Sequence, residues 1–339
     1  MDQLSYRTLE KNGYRGYLLT GAPERVLQFG EGNFLRAFAD YFFDLANERA
    51  GFHSKVVVFQ PIREGRAGEL NEQDGLYTVC LRGLAEGKEV VEKRIVSSIS
   101  RAINPYEDFD ALMECARSPE IRFVVSNTTE AGIAYDETSR FDQDPPSSFP
   151  GKVTRFLYER YRNPGKDGAE GVVFLSCELI DDNGGELKRC VGRYIDQWKL
   201  GEDFKKWVDE KNMFCSTMVD RIVTGYPHRE ADALNAENGY LDKNLDTGEI
   251  FATWVIEGEE PGRRAALPEG RAAGDRLPRL QALQAAQGAD PERGPDHDGA
   301  GLLSRRQRYR PAVPQGRGHS GFHEKSGLRR DPCDAPVPQ

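Results

Sequence analysis

The stretch that decides the fold is RVLQFGEGNFLRAF, residues 25–38. A short apolar run, VLQF, meets two glycines and continues into residues that are patterned like a helix. A strand, a G-x-G loop and a helix together point helix N-terminal amides at a pyrophosphate. In this interpretation Gly30 makes the tight turn and Gly32 lets the backbone approach the anion. Asn33 and Phe34 then open the helix.

The motif departs from the dinucleotide-binding pattern in two places. Leu35 stands where the third glycine of G-x-G-x-x-G belongs, and the next apolar run, VVVF, is followed by Gln60 and Arg63 instead of an acidic residue. That acidic residue grips the adenosine ribose in NAD-binding domains. Spacing alone therefore favours neither a dinucleotide loop nor a plain tight turn. It also leaves NAD and NADP open, because an arginine at position 63 suits a 2′-phosphate.

Strand-like and helix-like segments alternate along the first half of the chain. Apolar runs typical of strands lie at 26–29, 56–59, 121–126 and 171–177. Segments with helical periodicity lie at 33–49, 108–118 and 151–161. This alternation predicts an α/β fold with a doubly wound parallel sheet. Residues 76–100 instead predict a pair of extended strands joined through Glu86 and Gly87, and the chain becomes more helical from residue 184 onward.

A second group of polar residues follows the strand-like run at 121–126, in the string VVSNTTEAGIAY. It contains Ser126, Asn127, Thr128 and Glu130. Polar residues at the carboxyl end of a parallel strand lie where ligands bind. The same residue types also cap helices, with glutamate favoured in the first turn. Both interpretations are compatible with the sequence.

Two further segments combine apolar runs with polar side chains. CELIDDNG places Asn183 in a turn-forming string, and a turn explains it as well as a functional site does. STMVDRIVTGYP holds Asp220 and Arg221 within an apolar run. Charges in such surroundings either pair structurally or line a cleft.

Composition excludes several classes of protein. The 339 residues carry a formal charge of −9 without a basic patch, which argues against a nucleic-acid partner. No apolar run is long enough to span a membrane, and the first residues lack the apolar core of a signal peptide. The six cysteines are scattered without a C-x-x-C pair, and the histidines form no cluster. We therefore expect a cytoplasmic protein with reduced thiols and no metal site.

The composition changes abruptly after Gly258. Residues 259–339 contain thirteen arginines but one lysine, ten prolines and eleven glycines, and lack Ile, Thr, Asn, Met and Trp altogether. Their formal charge is +3. Residues 1–258 therefore carry −12, which gives the whole chain its net charge of −9. Such a composition predicts a disordered tail. The simultaneous loss of five residue types indicates an out-of-frame translation.

Taken in order, five strings resemble the mannitol dehydrogenase family of polyol-specific long-chain dehydrogenases. They are QFGEGNFLRAF, QDGLYTVCLRG, RFVVSNTTEAGI, CELIDDNG and STMVDRIVTGYP, and the resemblance covers roughly residues 14–258. It implies an NAD-binding Rossmann-like domain at 1–225, and the incomplete start of a mostly helical substrate domain at 226–258. It also implies metal-independent hydride transfer between NADH and a small-molecule substrate, a hexuronate keto acid.

The resemblance also assigns roles to residues. Gly30, Gly32, Asn33 and Phe34 match the residues that hold the pyrophosphate. Residues 126–130 match the loop that flanks the nicotinamide. Asn183 matches an asparagine that helps to polarise the reacting oxygen, and Asp220 matches a carboxylate in the cleft.

The general acid of the family, a lysine in a K-x-R-x-L-N-G motif, is absent from the chain as written. A reading frame shifted by one nucleotide permits K-V-R-I-L-N-G-A at residues 287–294. We therefore expect the chain as written to lack turnover. Mannitol or mannonate oxidation, or a non-catalytic dinucleotide-binding protein, are the alternatives, and the sequence leaves the oligomeric state open.

Overall fold

The computed structural model describes residues 1–85, 87–129, 131–164 and 169–258. The expected out-of-frame tail at 259–339 lies outside the described residues. Within these ranges, the strands are β1 (Glu24–Phe29), β2 (Lys55–Phe59), β3 (Tyr77–Ala85), β4 (Lys88–Val96), β5 (Ile99–Ile103), β6 (Phe123–Ser126), β7 (Val173–Ser176), β8 (Met213–Asp220), β9 (Val223–Gly225), β10 (Asp246–Glu249) and β11 (Thr253–Glu257).

Helices connect most of these strands, and one of them is irregular. The α-helices are α1 (Tyr6–Lys11), α2 (Asn33–Leu35), α3 (Tyr41–Ala50), α4 (Ala67–Glu72), α5 (Asp110–Arg117), α6 (Phe149–Arg162), α7 (Asn183–Gln197), α8 (Glu202–Lys211) and α9 (Ala231–Asn238). A π-helical turn at Arg36–Asp40 joins α2 to α3, so residues 33–50 form one helical segment. The predicted helix at 33–49 is thereby confirmed.

The larger sheet has seven strands in the order β5-β2-β1-β6-β7-β8-β11. In this order, each pair of adjacent strands from β5 through β8 is parallel, whereas β11 pairs antiparallel with β8. The chain builds outward from β1 in one direction, then returns to β6 and builds outward in the other. The predicted doubly wound sheet is confirmed, and its topological switch point lies between β1 and β6, where such sheets bind ligands.

Both faces of this sheet are covered. Val26, Val56 and Val125 belong to the core on one face, which includes the helical segment 33–50. Leu27 and Val124 belong to the core on the other face, formed with α5, α6, α7 and α8. Burial on both faces explains why the parallel strands are continuous apolar runs and do not alternate.

A second sheet has four strands in the order β4-β3-β10-β9. β3 and β4 pair antiparallel along their whole lengths, from Tyr77 opposite Val96 to Ala85 opposite Lys88. This pairing confirms the two extended strands that the sequence predicts at 76–100. β10 adds to β3 in parallel and pairs antiparallel with β9.

The residues after 184 contain more strand than the sequence indicates. Following α7 and α8, β8 extends the larger sheet, and residues 226–258 hold one eight-residue helix, α9, together with β10 and β11. In β8 only Met213, Cys215 and Val219 of the apolar residues are buried, so the strand lacks the continuous apolar run of β1 or β2. The point where a substrate domain begins stays a prediction.

Candidate active site

The loop after β1 forms one wall of a cleft at the switch point. The Gly30 N–H donates to the carbonyl of Phe59 at 3.0 Å, and Gly30 adopts a φ of 122°. A Cβ at this position would lie 3.0 Å from Leu35 Cδ1 and 3.2 Å from the carbonyl oxygen of Asn127. Backbone conformation and close approach both require glycine here.

Gly32 serves a different purpose from Gly30. It is exposed, it caps the helical segment with a φ of −65°, and a Cβ added to it would meet no atom within 4 Å. The cap supplies no side-chain acceptor to the first N–H groups of the helix. A helix N-terminus with this geometry suits an anion.

The next two residues point in different directions. The Asn33 side chain turns inward, where Oδ1 accepts a hydrogen bond from Arg36 Nη2, and a Cβ at Gly225 would lie 2.4 Å from its Nδ2. Phe34 faces the cleft and stacks on Phe38 with 4.9 Å between ring centroids. Asn33 therefore offers the cleft its backbone, whereas Phe34 offers its ring.

A buried charge cluster supports this wall from behind. Arg36 is 1% exposed, lies 5.1 Å from the Tyr77 ring centroid and pairs with Asp246 at 3.5 Å. Asp40 accepts a hydrogen bond from Gln28 Nε2 at 3.0 Å. Burial raises the pKa of Asp40 to about 7 and the pKa of Asp246 to about 6. The helix behind the glycine loop is thus anchored by buried polar contacts.

The turn after β6 forms the opposite wall and is held by Glu178. Ser126 Oγ donates to Glu178 Oε2 at 3.2 Å. The Thr128 N–H and Oγ1 both donate to Glu178 Oε1, at 3.0 and 3.1 Å. Burial raises the pKa of Glu178, while these hydrogen bonds oppose the shift. Glu130, which the sequence analysis placed in this turn, lies outside the described residues.

Asn127 ties this turn to the strands on either side. Its Nδ2 donates to the carbonyl of Cys177 at 2.6 Å, and its backbone N–H donates to the carbonyl of Phe29 at 3.3 Å. It therefore joins the ends of β1, β6 and β7. Sequence reasoning singled out Asn127 but missed Glu178, whose signal is an acidic residue directly after the apolar string GVVFLSC.

The two walls enclose a cleft of about 480 Å³. Its lining comes from both walls and from the ends of β7 and β8: Phe34, Asn127, Thr129, Ala131, Leu179 and Val219. A second cleft of about 570 Å³ shares Leu179 and Val219 with the first and adds four acidic residues, Glu178, Asp181, Asp182 and Glu257. The structure therefore brings the predicted glycine loop and the predicted polar turn to one site.

Asn183 stands at the first position of α7 and is 1% exposed. Its Nδ2 donates to the carbonyls of Glu178 and Thr217, each at 2.9 Å. Its Oδ1 accepts from the N–H groups of Gly184 and Thr217, at 2.8 and 2.9 Å. All four bonds join backbone segments, so the side chain belongs to the scaffold. Polarisation of a substrate oxygen stays a prediction that requires one of these bonds to open.

The two charged residues at the end of β8 have separate environments. Arg221 is buried, donates from Nη1 to the carbonyl of Ala37 at 2.6 Å and lies 4.9 Å from the Tyr41 ring centroid. Asp220 is exposed, and within the described ranges its carboxylate has no hydrogen-bond or ion-pair partner. Of the two roles considered for these charges, structural pairing therefore fits Arg221. The Asp220 carboxylate is available to a ligand.

Gln60 and Arg63, which follow β2, are both engaged in contacts with neighbouring residues. Gln60 turns into its own loop, where Nε2 donates to the carbonyls of Ile62 and Arg63 at 3.1 and 2.9 Å. The Arg63 guanidinium lies 5.1 Å from the Tyr106 ring centroid. The loop after β2 thus has Gln60 and Arg63 where NAD-binding domains have an acidic residue, and both side chains take part in its folded structure.

The described residues contain neither a membrane-spanning helix nor a cluster of metal-ligating side chains. None of their helices combines the length and hydrophobicity that crossing a bilayer requires. No three histidine, cysteine, aspartate or glutamate side chains among them are grouped so as to hold a metal ion.

Comparison with known proteins gives consistent matches. Residues 24–268 match the family model of the mannitol dehydrogenase Rossmann domain. An altronate oxidoreductase of Klebsiella pneumoniae subsp. pneumoniae is 49% identical over 253 residues, which are 74% of this chain and 52% of the relative. One from Bacillus subtilis is 46% identical over 252 residues, again 74% of this chain and 52% of the relative. The chain therefore spans about half the length of the curated relatives it matches.

Solved structures show the same fold. Mannitol 2-dehydrogenase of Pseudomonas fluorescens, solved as a ternary complex with NAD and D-mannitol, has a TM-score of 0.64 at 23% identity, covering 75% of this chain and 54% of that one. A D-sorbitol dehydrogenase in substrate-free form has a TM-score of 0.61, also at 23% identity, covering 77% of this chain and 57% of that one.

Proposed function

Because the chain belongs to the mannitol dehydrogenase family, we propose that it is the cofactor-binding half of a cytoplasmic NAD-dependent tagaturonate reductase (altronate oxidoreductase). The observation that carries the proposal is the cleft at the switch point, with a glycine loop on one wall and a polar turn on the other. The substrate class rests on the relatives, which are altronate oxidoreductases.

The residues of the cleft fit a dinucleotide. The open N-terminus of the helical segment 33–50 receives the pyrophosphate, and Gly32 lets it approach, since a Cβ there would fill the space the anion needs. The adenosine lies over the half of the sheet that contains β2, because the ribose-binding position follows that strand. The nicotinamide then lies over β6, β7 and β8, against Phe34 and the Ser126–Thr128 turn.

When bound, NADH supplies the hydride that reduces the carbonyl of tagaturonate to the alcohol of altronate. Asp220, exposed at the end of β8, contributes a carboxylate to the substrate side of the cleft. Phe34 and Val219 exclude water from the nicotinamide side. The proton for the new hydroxyl comes from a lysine in the family, and no K-x-R-x-L-N-G motif is present in this sequence. We therefore propose that the chain as written binds NADH without turning over.

The test uses two proteins, the chain as written and a chain in which one inserted or deleted base restores the lysine motif. NADH binding is measured by fluorescence titration, and turnover by the loss of NADH absorbance with tagaturonate. We expect both chains to bind NADH and only the restored chain to oxidise it. Turnover by the chain as written contradicts its proposed inactivity, and absence of NADH binding by both folded chains contradicts the proposed function.

Two alternatives are separated by the same assay. A panel containing mannonate, mannitol and their keto partners distinguishes the sister activities, because only the correct pair gives turnover with the restored chain. A non-catalytic dinucleotide-binding protein is favoured by the missing lysine motif alone. It predicts NADH binding, no turnover on any substrate, and an uninterrupted reading frame in the gene.

A further inference from the structure

Glu178 joins one wall of the candidate site, the turn after β6, to the scaffold. It follows β7 by two residues and is 2% exposed. Its carboxylate accepts hydrogen bonds from Ser126 Oγ, the Thr128 N–H and Thr128 Oγ1. Its backbone carbonyl accepts from Asn183 Nδ2 at 2.9 Å. One residue therefore connects the turn after β6 with the start of α7.

The turn that Glu178 holds has an unusual backbone. Thr129, the next residue after the clamped Thr128, has a φ of 70°, which non-glycine residues rarely adopt. Strained conformations persist only where surrounding contacts enforce them. The bonds from Thr128 to Glu178 fix the residue immediately before the strained position, and Asn127 and Thr129 both line the cleft. The shape of this wall thus depends on the Glu178 carboxylate.

A carboxylate and an amide hold this turn with different strength. Three donors converge on Glu178, two of them on Oε1. An ionised carboxylate accepts at both oxygens, whereas a glutamine has one acceptor oxygen and presents an NH2 group in place of the other. Hydrogen bonds to a buried charged acceptor are stronger than neutral ones. Glutamine at this position keeps the shape of the side chain but weakens the hold on the turn.

We propose that Glu178 is a positioning residue that sets the nicotinamide-side wall of the cleft through the Ser126–Thr128 turn. The inference rests on the proposed function, since it assumes that the dinucleotide lies across the switch point. Glu178 lines the second cleft but not the first, and it acts on the wall of the first cleft through Thr128. Its effect is therefore confined to the nicotinamide half of the cofactor and leaves the adenosine and pyrophosphate contacts unchanged.

The experiment compares two ligands that differ in the nicotinamide, NADH and ADP-ribose, by calorimetric titration. For Glu178→Gln we expect the dissociation constant for NADH to rise about tenfold, and that for ADP-ribose to stay within about twofold. Thr128→Val removes one of the donors and is expected to raise the NADH constant about threefold. The double variant is expected to lose less than the product of the two single losses, because both changes remove the same contact.

Asp242→Asn serves as a matched control. Asp242 is also buried and accepts from Gln73 Nε2 and from the N–H groups of Thr78 and Asn244, at 2.8, 2.6 and 2.9 Å, but it lies next to the four-stranded sheet. It is expected to change thermal stability while leaving the ratio of the two dissociation constants as in the wild type.

The outcomes separate the inference from the proposed function. A wild-type chain that binds both ligands, with Glu178→Gln weakening both equally, overturns the inference and leaves the proposed function standing. A folded wild-type chain that binds neither ligand overturns both. If Glu178→Gln does not fold, Thr128→Val decides the question, because an unchanged ratio in that variant contradicts the inference.

Discussion

The two walls of the cleft are built by opposite means. The Gly30–Phe34 wall is shaped by its backbone, because the φ of 122° and the close neighbours of Gly30 leave no room for a side chain there. The Ser126–Thr128 wall is held by side chains that converge on Glu178. We therefore expect an added Cβ at Gly30 to disrupt the first wall, and the loss of a hydrogen-bond acceptor at Glu178 to disrupt the second. Substitutions that act on one wall at a time test this difference.

The largest expected effect is at Asn183, which bonds to the backbone of Glu178 behind the Ser126–Thr128 wall. Asn183→Ala removes the buried partner of backbone groups of Gly184 and Thr217, and one of the two donors to the Glu178 carbonyl, which keeps its bond from the Ile180 N–H. Unsatisfied buried groups cost about 1–3 kcal/mol each, so we expect a loss of roughly 3–5 kcal/mol in the free energy of unfolding. Urea denaturation measures it. A loss below about 1 kcal/mol contradicts the scaffold role that the contacts assign.

The backbone wall is tested at its two glycines. Gly30→Ala is expected to lower the free energy of unfolding by about 2 kcal/mol, because alanine is strained at this φ and meets Leu35 and Asn127. Gly32→Ala is the matched control: alanine is a poorer N-cap than glycine, so it lowers stability by up to about 1 kcal/mol, less than Gly30→Ala, but reduces NADH affinity. Equal losses of stability in the two variants would show that the glycines do not have separate purposes.

A pH-dependent effect is expected behind the backbone wall. Because burial raises the pKa of Asp40 to about 7, the folded chain holds a proton that the unfolded chain releases near pH 4. The free energy of unfolding therefore decreases as pH rises from about 4 to 7 and then levels off. Asp40→Asn resembles the protonated form, so it is expected to match the wild type near pH 4 and to exceed it increasingly up to pH 7, above which the difference stays constant.

Urea denaturation of the wild type and Asp40→Asn at several pH values checks this expectation. A constant difference between the two proteins from pH 4 to pH 8 contradicts it, because the effect then does not come from titration of Asp40. Gln28 Nε2 keeps an acceptor in the variant, and Arg36 keeps its pair with Asp246, so other contacts of the cluster persist.

The smallest effect on stability is expected at Asp220. Asp220→Asn removes an exposed charge, so the free energy of unfolding is expected to change by less than about 0.5 kcal/mol. If its carboxylate serves the substrate, the same change lowers turnover in the frame-restored chain and leaves NADH affinity unaltered. An appreciable loss of stability contradicts this assignment and gives Asp220 a structural role instead.

The sequence predicted one wall better than the other for a physical reason. Gly30 and Gly32 act through local backbone geometry, and continuous apolar runs mark the buried parallel strands on either side. Glu178 acts across β6 and β7, and Asn183 bonds to Thr217, 34 residues further along the chain. Those contacts depend on strand order, which the local pattern does not contain. The sequence did not predict strand β8, because its few buried apolar residues are separated by polar and exposed ones.

The most direct test of the central claim is calorimetric titration of NADH into the chain as written, with circular dichroism to establish that it is folded. The account predicts saturable binding with one NADH per chain, reduced in Gly32→Ala while the fold is retained. A folded chain that shows no saturable binding, or binding that Gly32→Ala leaves unchanged, contradicts the assignment of the switch-point cleft as the dinucleotide site.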